Sequence, residues 1–279
     1  MEPRWIRGRS FREVNQSELQ AALGGAKGAI ALGDFRFFKS IGSTNDEARA
    51  WSNQGAPDLS LVIADEQTAG RGRSGRKWHT PPGTALALSL ILRPNATERT
   101  HPARMTGLGA VAVAESFRTR RLPAQIKWPN DVLINRRKAA GILVESVWMG
   151  DQLEAFVLGI GVNVLAASVP AADPLLFPAT SLESELNEPV DRLECLREIL
   201  SALIRWRPKI GTDEFIRTWE GYLAFRGQQV HVRKDNESTL TGELLGLEPD
   251  GSLRLFANDK SLAIQFGEIH LRPADDKIE

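Results

Sequence analysis

The clearest signal along the chain is an alternation in "TALALSLIL" (residues 84–92). Leu86, Leu88, Leu90 and Leu92 fall on one side at period two, with Ala85, Ala87 and Ser89 on the other. Successive side chains of a strand point to opposite faces, so this pattern predicts a central strand covered on both sides. "DFRFFKSIGST" (34–44) reads as a strand running into a turn, and "LSLVIADEQT" (59–68) as a buried strand. "QIKWPNDVLI" (125–134), "KAAGILVESVW" (138–148) and "QLEAFVLGIGVNV" (152–164) are three more strands in succession. Asn135-Arg136-Arg137 and Met149-Gly150-Asp151 read as their hairpin connections. Helical spacing marks "SELQAAL" (17–23), "PARMTGLGAVAVAESFRTR" (102–120), "PVDRLECLREILSALIRW" (189–206) and "TDEFIRTWEGYLAF" (212–225). The second of these carries small residues suited to close packing. A further helix opens in "STNDEARAWSNQG", where Thr44 and Glu47 have capping-box spacing and Gly55 supplies the stop.

From Gln228 onward the texture changes. "QQVHVRK", "STLTGELLGLE", "GSLRLFA", "SLAIQF" and "EIHLR" are short strands split by turns such as Pro249-Asp250-Gly251. They predict a small all-β barrel of SH3-like size. Strands in hairpins followed by helices make an α+β pattern; a doubly wound sheet needs regular strand–helix alternation. The expected organisation is a lead-in segment with a short helix (1–33), a main unit (34–226), the barrel (227–273) and a charged tail (274–279).

Composition narrows the function. Thirty-five basic and 35 acidic residues give zero net charge over 279 residues. That excludes a protein whose whole surface coats nucleic acid or an anionic membrane, and makes any anion site local. With one cysteine, Cys195, there is no internal disulfide and no cysteine cluster for zinc. Cys195 lies in an apolar-periodic helix and reads as core filler. No stretch approaches about 18 uninterrupted apolar residues, so no membrane span is expected. The start, "MEPRWIRGRSFREV", is basic but has no apolar h-region, which argues against a secretory signal. A cytoplasmic enzyme or binding protein is the expectation.

Within this neutral chain, "AGRGRSGRKW" (69–78) places Arg71, Arg73, Arg76 and Lys77 among Gly70, Gly72 and Gly75. The glycines match a dinucleotide-loop spelling and follow a strand, but Trp78-His79-Thr80 runs into Pro81-Pro82-Gly83 where a helix is needed. A phosphate-binding P-loop fails as well, because Arg76 and Lys77 stand where Lys and Ser or Thr belong. A solvated basic loop and an RNA-binding basic segment are the alternatives. The latter usually interleaves aromatics, and none lies between Asp65 and Lys77. Glycines let backbone N–H groups turn toward an anion, and arginines make planar, bidentate contacts to carboxylate and phosphate. Such a loop is expected to be mobile when empty and to order over an anionic ligand, shielding it from water.

"STNDEA", "ADEQTAGRGRSGRKW", "KWPNDVLINRRKAAGILVE" and "GIGVNV" together closely resemble the biotin protein ligases, from about residue 34 to the C-terminal barrel. The resemblance implies a catalytic α+β domain related to class II aminoacyl-tRNA synthetases, plus an SH3-like barrel. It implies an enzyme that joins biotin to ATP, with Mg2+, as biotinyl-5′-AMP and passes the biotinyl group to a lysine of a biotin carboxyl carrier domain. No tightly bound prosthetic group is expected.

Carried onto this sequence, the resemblance places Ser43, Thr44, Asn45 and Gln67 at the ureido end of biotin, where a neutral urea requires hydroxyl and amide partners. It places Gly70, Arg71, Gly72 and Arg73 at the biotin carboxylate and the phosphates, by backbone N–H and guanidinium. Lys138 matches the lysine at the carboxylate and α-phosphate, and Lys127 is a second cation for the phosphates; Lys138, Arg73 and Lys127 are the catalytic candidates. Asp131 is expected as a magnesium ligand or as the partner of a loop arginine. Asn130 and Asn163 are expected to read the adenine edge. Arg76 and Trp78 border the nucleotide, although Trp78, like Trp128, also reads as packing. Gly141 and Gly161 allow close approach of backbone to ligand. Arg272 is expected to reach the site from the barrel.

One helix within residues 1–33 cannot build a helix-turn-helix with its supporting core, so a ligase without repressor function or DNA partner is expected, as monomer or homodimer. A lipoate ligase is the nearest rival and would carry a different arginine motif and no "KWPND".

Overall fold

The computed structural model describes residues 16–24, 30–170, 178–234, 239–265 and 269–273. Its main layer is a seven-stranded sheet built from β1 (Asp34–Phe38), β2 (Ser60–Ala64), β3 (Ala85–Leu92), β4 (Ala124–Lys127), β5 (Asp131–Ile134), β6 (Arg137–Met149) and β7 (Gln152–Asn163). The order is β1-β2-β3-β7-β6-β5-β4. Only β1 and β2 run parallel, and helix α2 (Thr44–Asn53) is the crossover between them.

The alternation in β3 sets the layering. Leu86, Leu88, Leu90 and Leu92 enter the main buried cluster together with α4 (Arg104–Thr119) and α6 (Arg192–Trp206). All eight residues of β3 are buried, as a centrally placed strand requires. On α4 the small residues permit close contact: a Cβ on Gly109 would lie 2.9 Å from Leu158 Cδ1. The opposite face receives α2 through Ala48 and Trp51, which pack on Val62, Ile91 and Val157. Beyond α2 that face carries Ala64, Ala87, Gly141 and Gly161, and there the site lies.

Two strands stand where one was expected over 125–134. Pro129 has no N–H to give a ladder, so the segment breaks after Lys127 and restarts at Asp131, with a cis Trp128–Pro129 peptide between. The β5–β6 turn at Asn135 and Arg136 takes positive φ at both residues, the geometry of a tight hairpin. The α2 cap also differs from expectation. Ser43 is the N-cap and makes no side-chain cap bond, Thr44 turns its hydroxyl to Gln67, and Glu47 pairs with Arg36 at 2.8 Å. Helix α1 (Gln16–Gly24) extends one residue beyond each end of its expected run, and two short elements escaped the periodicity: single-turn helices α3 (Ala96–Thr100) and α5 (Leu182–Leu186) carry too few residues to show a repeat.

After α7 (Asp213–Gly221), a second sheet of β8 (Gln229–Lys234), β9 (Leu240–Leu247), β10 (Leu253–Ala257), β11 (Lys260–Ile264) and β12 (Ile269–Pro273) is wholly antiparallel, in the order β11-β10-β9-β8-β12. Its inward residues Val230, Leu244, Leu253 and Leu255 belong to the same apolar cluster as the leucines of β3. Polar contacts pin the junction: Trp128 Nε1 donates to the Gly251 carbonyl at 3.0 Å, and the Leu247 N–H donates to Glu220 Oε2 at 2.8 Å. Arg104 donates to the carbonyls of Ile210 and Pro249. Cys195 is fully buried, and burial pushes its thiol pKa up to about 12, consistent with core filler. Among the described residues no helix is long and apolar enough to cross a membrane.

Candidate active site

Strand register builds the floor. Lys127 pairs with Asp131, Asp131 with Gly141, Gly141 with Gly161, Gly161 with Ala87, and Ala87 with Ala64. Directly opposed residues share a face, so this row runs from two charged positions to a smooth stretch of small ones. Lys138 joins it through a bulge. The pairing shifts between Val132 and Leu133, so that Val132 faces Ala140 and Leu133 faces Lys138. In an unbroken strand, residues 138 and 141 point to opposite faces. The extra residue returns Lys138 to the face of Gly141, whose added Cβ would lie 3.4 Å from Lys138 Nζ.

Lys138 Nζ lies 2.6 Å from Asp131 Oδ1, and Lys127 Nζ lies 3.7 Å from Asp131 Oδ2. Burial pushes the Asp131 carboxyl upward, but Lys138, Lys127 and Arg76 together outweigh it and hold the group below the ordinary carboxylate range. Asp131 is thus ionised at neutral pH and fixes two ammonium groups beside the glycine floor.

The arginine segment is a closed hairpin over that floor. Gly72 N–H donates to the Arg76 carbonyl at 2.7 Å and Trp78 N–H to the Gly70 carbonyl at 2.9 Å. These bonds bracket the Arg71–Lys77 pair, which therefore takes the non-hydrogen-bonded position and turns its N–H groups away from the partner strand. Ser74 and Gly75 close the tip with φ of 53° and 71°. Gly70 is sterically required, because a Cβ there would lie 2.4 Å from the Trp78 carbonyl oxygen. The Trp78 ring lies flat against the floor: a Cβ on Gly161 would fall 2.3 Å from Trp78 Cε2, and Lys138 Nζ is 5.5 Å from the ring centroid. Trp78 Nε1 is buried and makes no hydrogen bond.

At the other end of the floor the polar groups are neutral. Gln67 Oε1 accepts from the Thr44 N–H at 2.8 Å and from the Thr44 hydroxyl at 3.0 Å, while Gln67 Nε2 donates to Thr80 Oγ1 at 3.2 Å. Ser43, Thr44 and Asn45 are all buried.

A neutral corner, a glycine floor and a cationic corner under an arginine hairpin define one site with two polarities. Residues 37–163, which hold every site residue named above, match the model of the "Biotin/lipoate A/B protein ligase family". The chain is 37% identical over 235 residues to the bifunctional ligase/repressor BirA of Bacillus spizizenii, covering 83% of this chain and 72% of that protein. It is 36% identical to the biotin–[acetyl-CoA-carboxylase] ligase of Paracoccus denitrificans, covering 76% and 90%. The chain belongs to the biotin protein ligases. Its fold is similar to that of the Aquifex aeolicus biotin protein ligase solved in complex with biotin and ATP, with a TM-score of 0.74, 27% identity, and 86% of this chain and 99% of that one covered.

In this biotin protein ligase most positions singled out in the sequence converge. Thr44, Asn45, Gln67, Gly70, Arg71, Gly72, Arg73, Trp78, Lys127, Asn130, Asp131, Lys138 and Gly141 line the floor or the hairpin above it, and Ser43 is buried beside Thr44 as the N-cap of α2. Arg73 Nη1 donates to Asn130 Oδ1 at 3.1 Å, and Asn130 Nδ2 donates to the Ile142 carbonyl. Asn163 shares the face of Gly161 and donates to the Thr180 carbonyl. Beyond those bonds Asn130 keeps one donor and one acceptor position, and Asn163 one donor and two acceptor positions. Arg76 contributes positive potential at Asp131. Arg272 belongs to β12, and its side chain lies outside the described residues.

Of the two readings of Asp131, the geometry matches the cation partner, with lysines in place of a loop arginine. Both carboxylate oxygens face ammonium groups, and no cluster of three metal-binding side chains exists among the described residues.

Three contributors were missed from the sequence. Arg71 forks onto Glu145, with Nη1 3.0 Å from Oε1 and Nη2 2.7 Å from Oε2, and also meets Asp46 Oδ1 at 2.7 Å. Ser89 lies 2.8 Å from Thr44 Oγ1 and 2.6 Å from Asn45 Oδ1. Glu145 ends the "GILVE" run, and Ser89 is the one hydroxyl in an Ala/Leu strand; these were the available signals.

Proposed function

We propose that the chain activates biotin with MgATP as biotinyl-5′-AMP, releasing pyrophosphate, and then transfers the biotinyl group to one lysine of a biotin carboxyl carrier domain. The observation that carries this reading is the split polarity of one continuous floor: neutral amide and hydroxyl groups at Thr44 and Gln67, and Lys138, Lys127 and the arginine hairpin at the other end. A urea ring suits the first end and a carboxylate beside phosphates the second.

In the first step a biotin carboxylate oxygen attacks the α-phosphorus and pyrophosphate leaves. Negative charge grows on the phosphoryl oxygens, where Lys138, Arg73 and Lys127 stabilise it. The outward N–H of Arg71 orients the carboxylate, while the Gly72 N–H is spent within the hairpin on the Arg76 carbonyl. Magnesium enters as part of the nucleotide substrate. In the second step the carrier's neutral lysine amine attacks the anhydride carbonyl, AMP leaves, and an amide forms; this needs positioning and exclusion of water but no protein nucleophile. Asn130, Asn163, Arg76 and Trp78 are read as nucleotide neighbours, with Arg272 reaching in from the second sheet. That sheet is read as an SH3-like barrel over 227–273, beside a catalytic unit over 34–226 of class II synthetase type. A cytoplasmic enzyme acting on a carboxylase subunit completes the reading.

The test is incubation with biotin, MgATP and an apo carrier domain, followed by the carrier's intact mass. A gain of one biotinyl group, with biotin-dependent ATP–pyrophosphate exchange when the carrier is omitted, is expected. Exchange with lipoate and none with biotin overturns the reading.

A further inference from the structure

Arg71 stands in the arginine segment, yet its guanidinium is committed elsewhere. It forks onto both oxygens of Glu145 on β6 and reaches Asp46 on α2. A planar fork on a carboxylate is the strongest geometry an arginine side chain makes, and here a second carboxylate adds to it. Arg73, two residues on, donates to the neutral oxygen of Asn130. The alternation of the hairpin thus gives Arg71 two separate jobs: its N–H turns outward, while its side chain ties the base of the hairpin to the sheet.

The tie continues inward. Glu145 Oε2 also accepts from Asn45 Nδ2 at 2.7 Å. Asn45 is held in a notch left by Gly159, where a Cβ would lie 2.1 Å from Asn45 Oδ1. Ser89 then bridges Asn45 to Thr44, whose hydroxyl donates to Gln67. The hairpin's base and the neutral corner of the site are therefore linked through one chain of hydrogen bonds with Glu145 at its middle.

We infer that the Arg71 guanidinium is a latch and not an anion ligand, and that Glu145 is a positioning residue that holds the hairpin closed over the floor and in register with the Thr44–Gln67 corner. The inference rests on the proposed biotin-activating reaction for its kinetic consequence, but its structural consequence stands alone. Without Glu145 the hairpin base loses its carboxylate fork, and Asn45 Nδ2 is left with its longer bond to the Leu143 carbonyl at 3.4 Å.

The experiment compares wild type with Glu145→Gln, Arg71→Ala, the double variant and, as a control, Glu47→Gln, whose carboxylate on α2 pairs with Arg36 on β1 and has no described tie to the hairpin. Limited trypsin digestion of each unliganded protein is read at Arg73, Arg76 and Lys77 only, since Arg71→Ala deletes its own cleavage site. Glu145→Gln and Arg71→Ala are expected to be cut about three- to tenfold faster than wild type, the range of one partly exposed charged tie, and the double variant no faster than either single one. Biotin KM in pyrophosphate exchange rises in parallel while kcat moves less, a split that simple loss of folded protein does not produce. Should Glu145→Gln fail to fold, Asp46→Asn, at an exposed carboxylate, reports in the same direction with a smaller effect. Unchanged cleavage in Glu145→Gln, effects that add in the double variant, or an Arg71→Ala defect confined to ATP KM overturns the latch. Absence of exchange in the wild type overturns the proposed reaction and leaves the digestion result to decide the latch.

Discussion

The two faces of the seven-stranded sheet are made by the same strands under opposite rules. On one, Leu86, Leu88, Leu90 and Leu92 sit beneath α4 and α6, filled with aliphatic volume. On the other, one residue along each strand, Ala87, Gly161 and Gly141 leave depth, and the nearest side chains are charged or hydrogen-bonded. Period-two alternation lets each residue of β3, β6 and β7 serve either packing or the site. The large side chains anchor the sheet, and the small ones let Trp78 and the arginine hairpin approach its backbone. If this division is right, substitutions on the two faces must fail in different ways.

The largest effect is expected from Lys138→Ala. It removes the cation nearest the glycine floor, and loss of a donor aimed at developing charge costs on the order of 10²–10³ in rate. Pyrophosphate exchange should fall by that factor with the melting temperature nearly unchanged. A large drop in melting temperature with exchange preserved per folded molecule would make Lys138 a structural lysine and blur the two faces.

Leu88→Ala is the mirror experiment. Leu88 is 1% exposed and faces the helices, so truncation leaves a cavity costing about 2–5 kcal/mol. Urea unfolding measures the loss, and exchange per folded molecule should stay close to wild type. A fall in that specific activity matching Lys138→Ala would show that the faces are not separable.

Gly161→Ala sharpens the comparison from the side of the floor. One methyl placed 2.3 Å from Trp78 Cε2 forces the ring to lift, and overpacking of this kind costs about 1–3 kcal/mol. Trp78 is only partly buried, so part of the strain relaxes by moving the hairpin, and biotin KM should rise more than stability falls. Equal KM values for this variant and wild type would mean that the close contact does not shape the site.

These contrasts were partly readable from the chain. The alternation in 84–92 exposed both faces, and the glycine–arginine segment marked the anion end, because both signals are local. What stayed hidden depends on distance or parity. Arg71 meets Glu145 seventy-four residues away, and no spacing rule links them. Lys138 reaches the floor only through a one-residue bulge, which reverses the face that alternation assigns it. Thr44 has the letters of a cap, but Gln67 competes for its hydroxyl across 23 residues and wins. Pro129 splits a strand that hydrophobicity alone runs through.

The smallest effect concerns pH, and it separates burial from charge at Asp131. Burial alone would raise this carboxyl; the adjacent Lys138 and Lys127, with Arg76, bring it below its ordinary value of 3.8. A group whose folded pKa is depressed contributes stability that is present above the unfolded value and lost as pH falls through the folded one. The stability gap between wild type and Asp131→Asn should therefore be flat from pH 8 to pH 5 and narrow only below about pH 4. The gap for Leu88→Ala, which involves no titrating group, should not narrow with it. Urea unfolding of the three proteins at unit steps of pH makes the comparison. Wild-type stability that rises relative to Asp131→Asn as pH falls from 7 to 5 would show that burial prevails over the two lysines. The floor would then hold a protonated acid at its charged end, and Lys138 would have no fixed counter-ion to aim it.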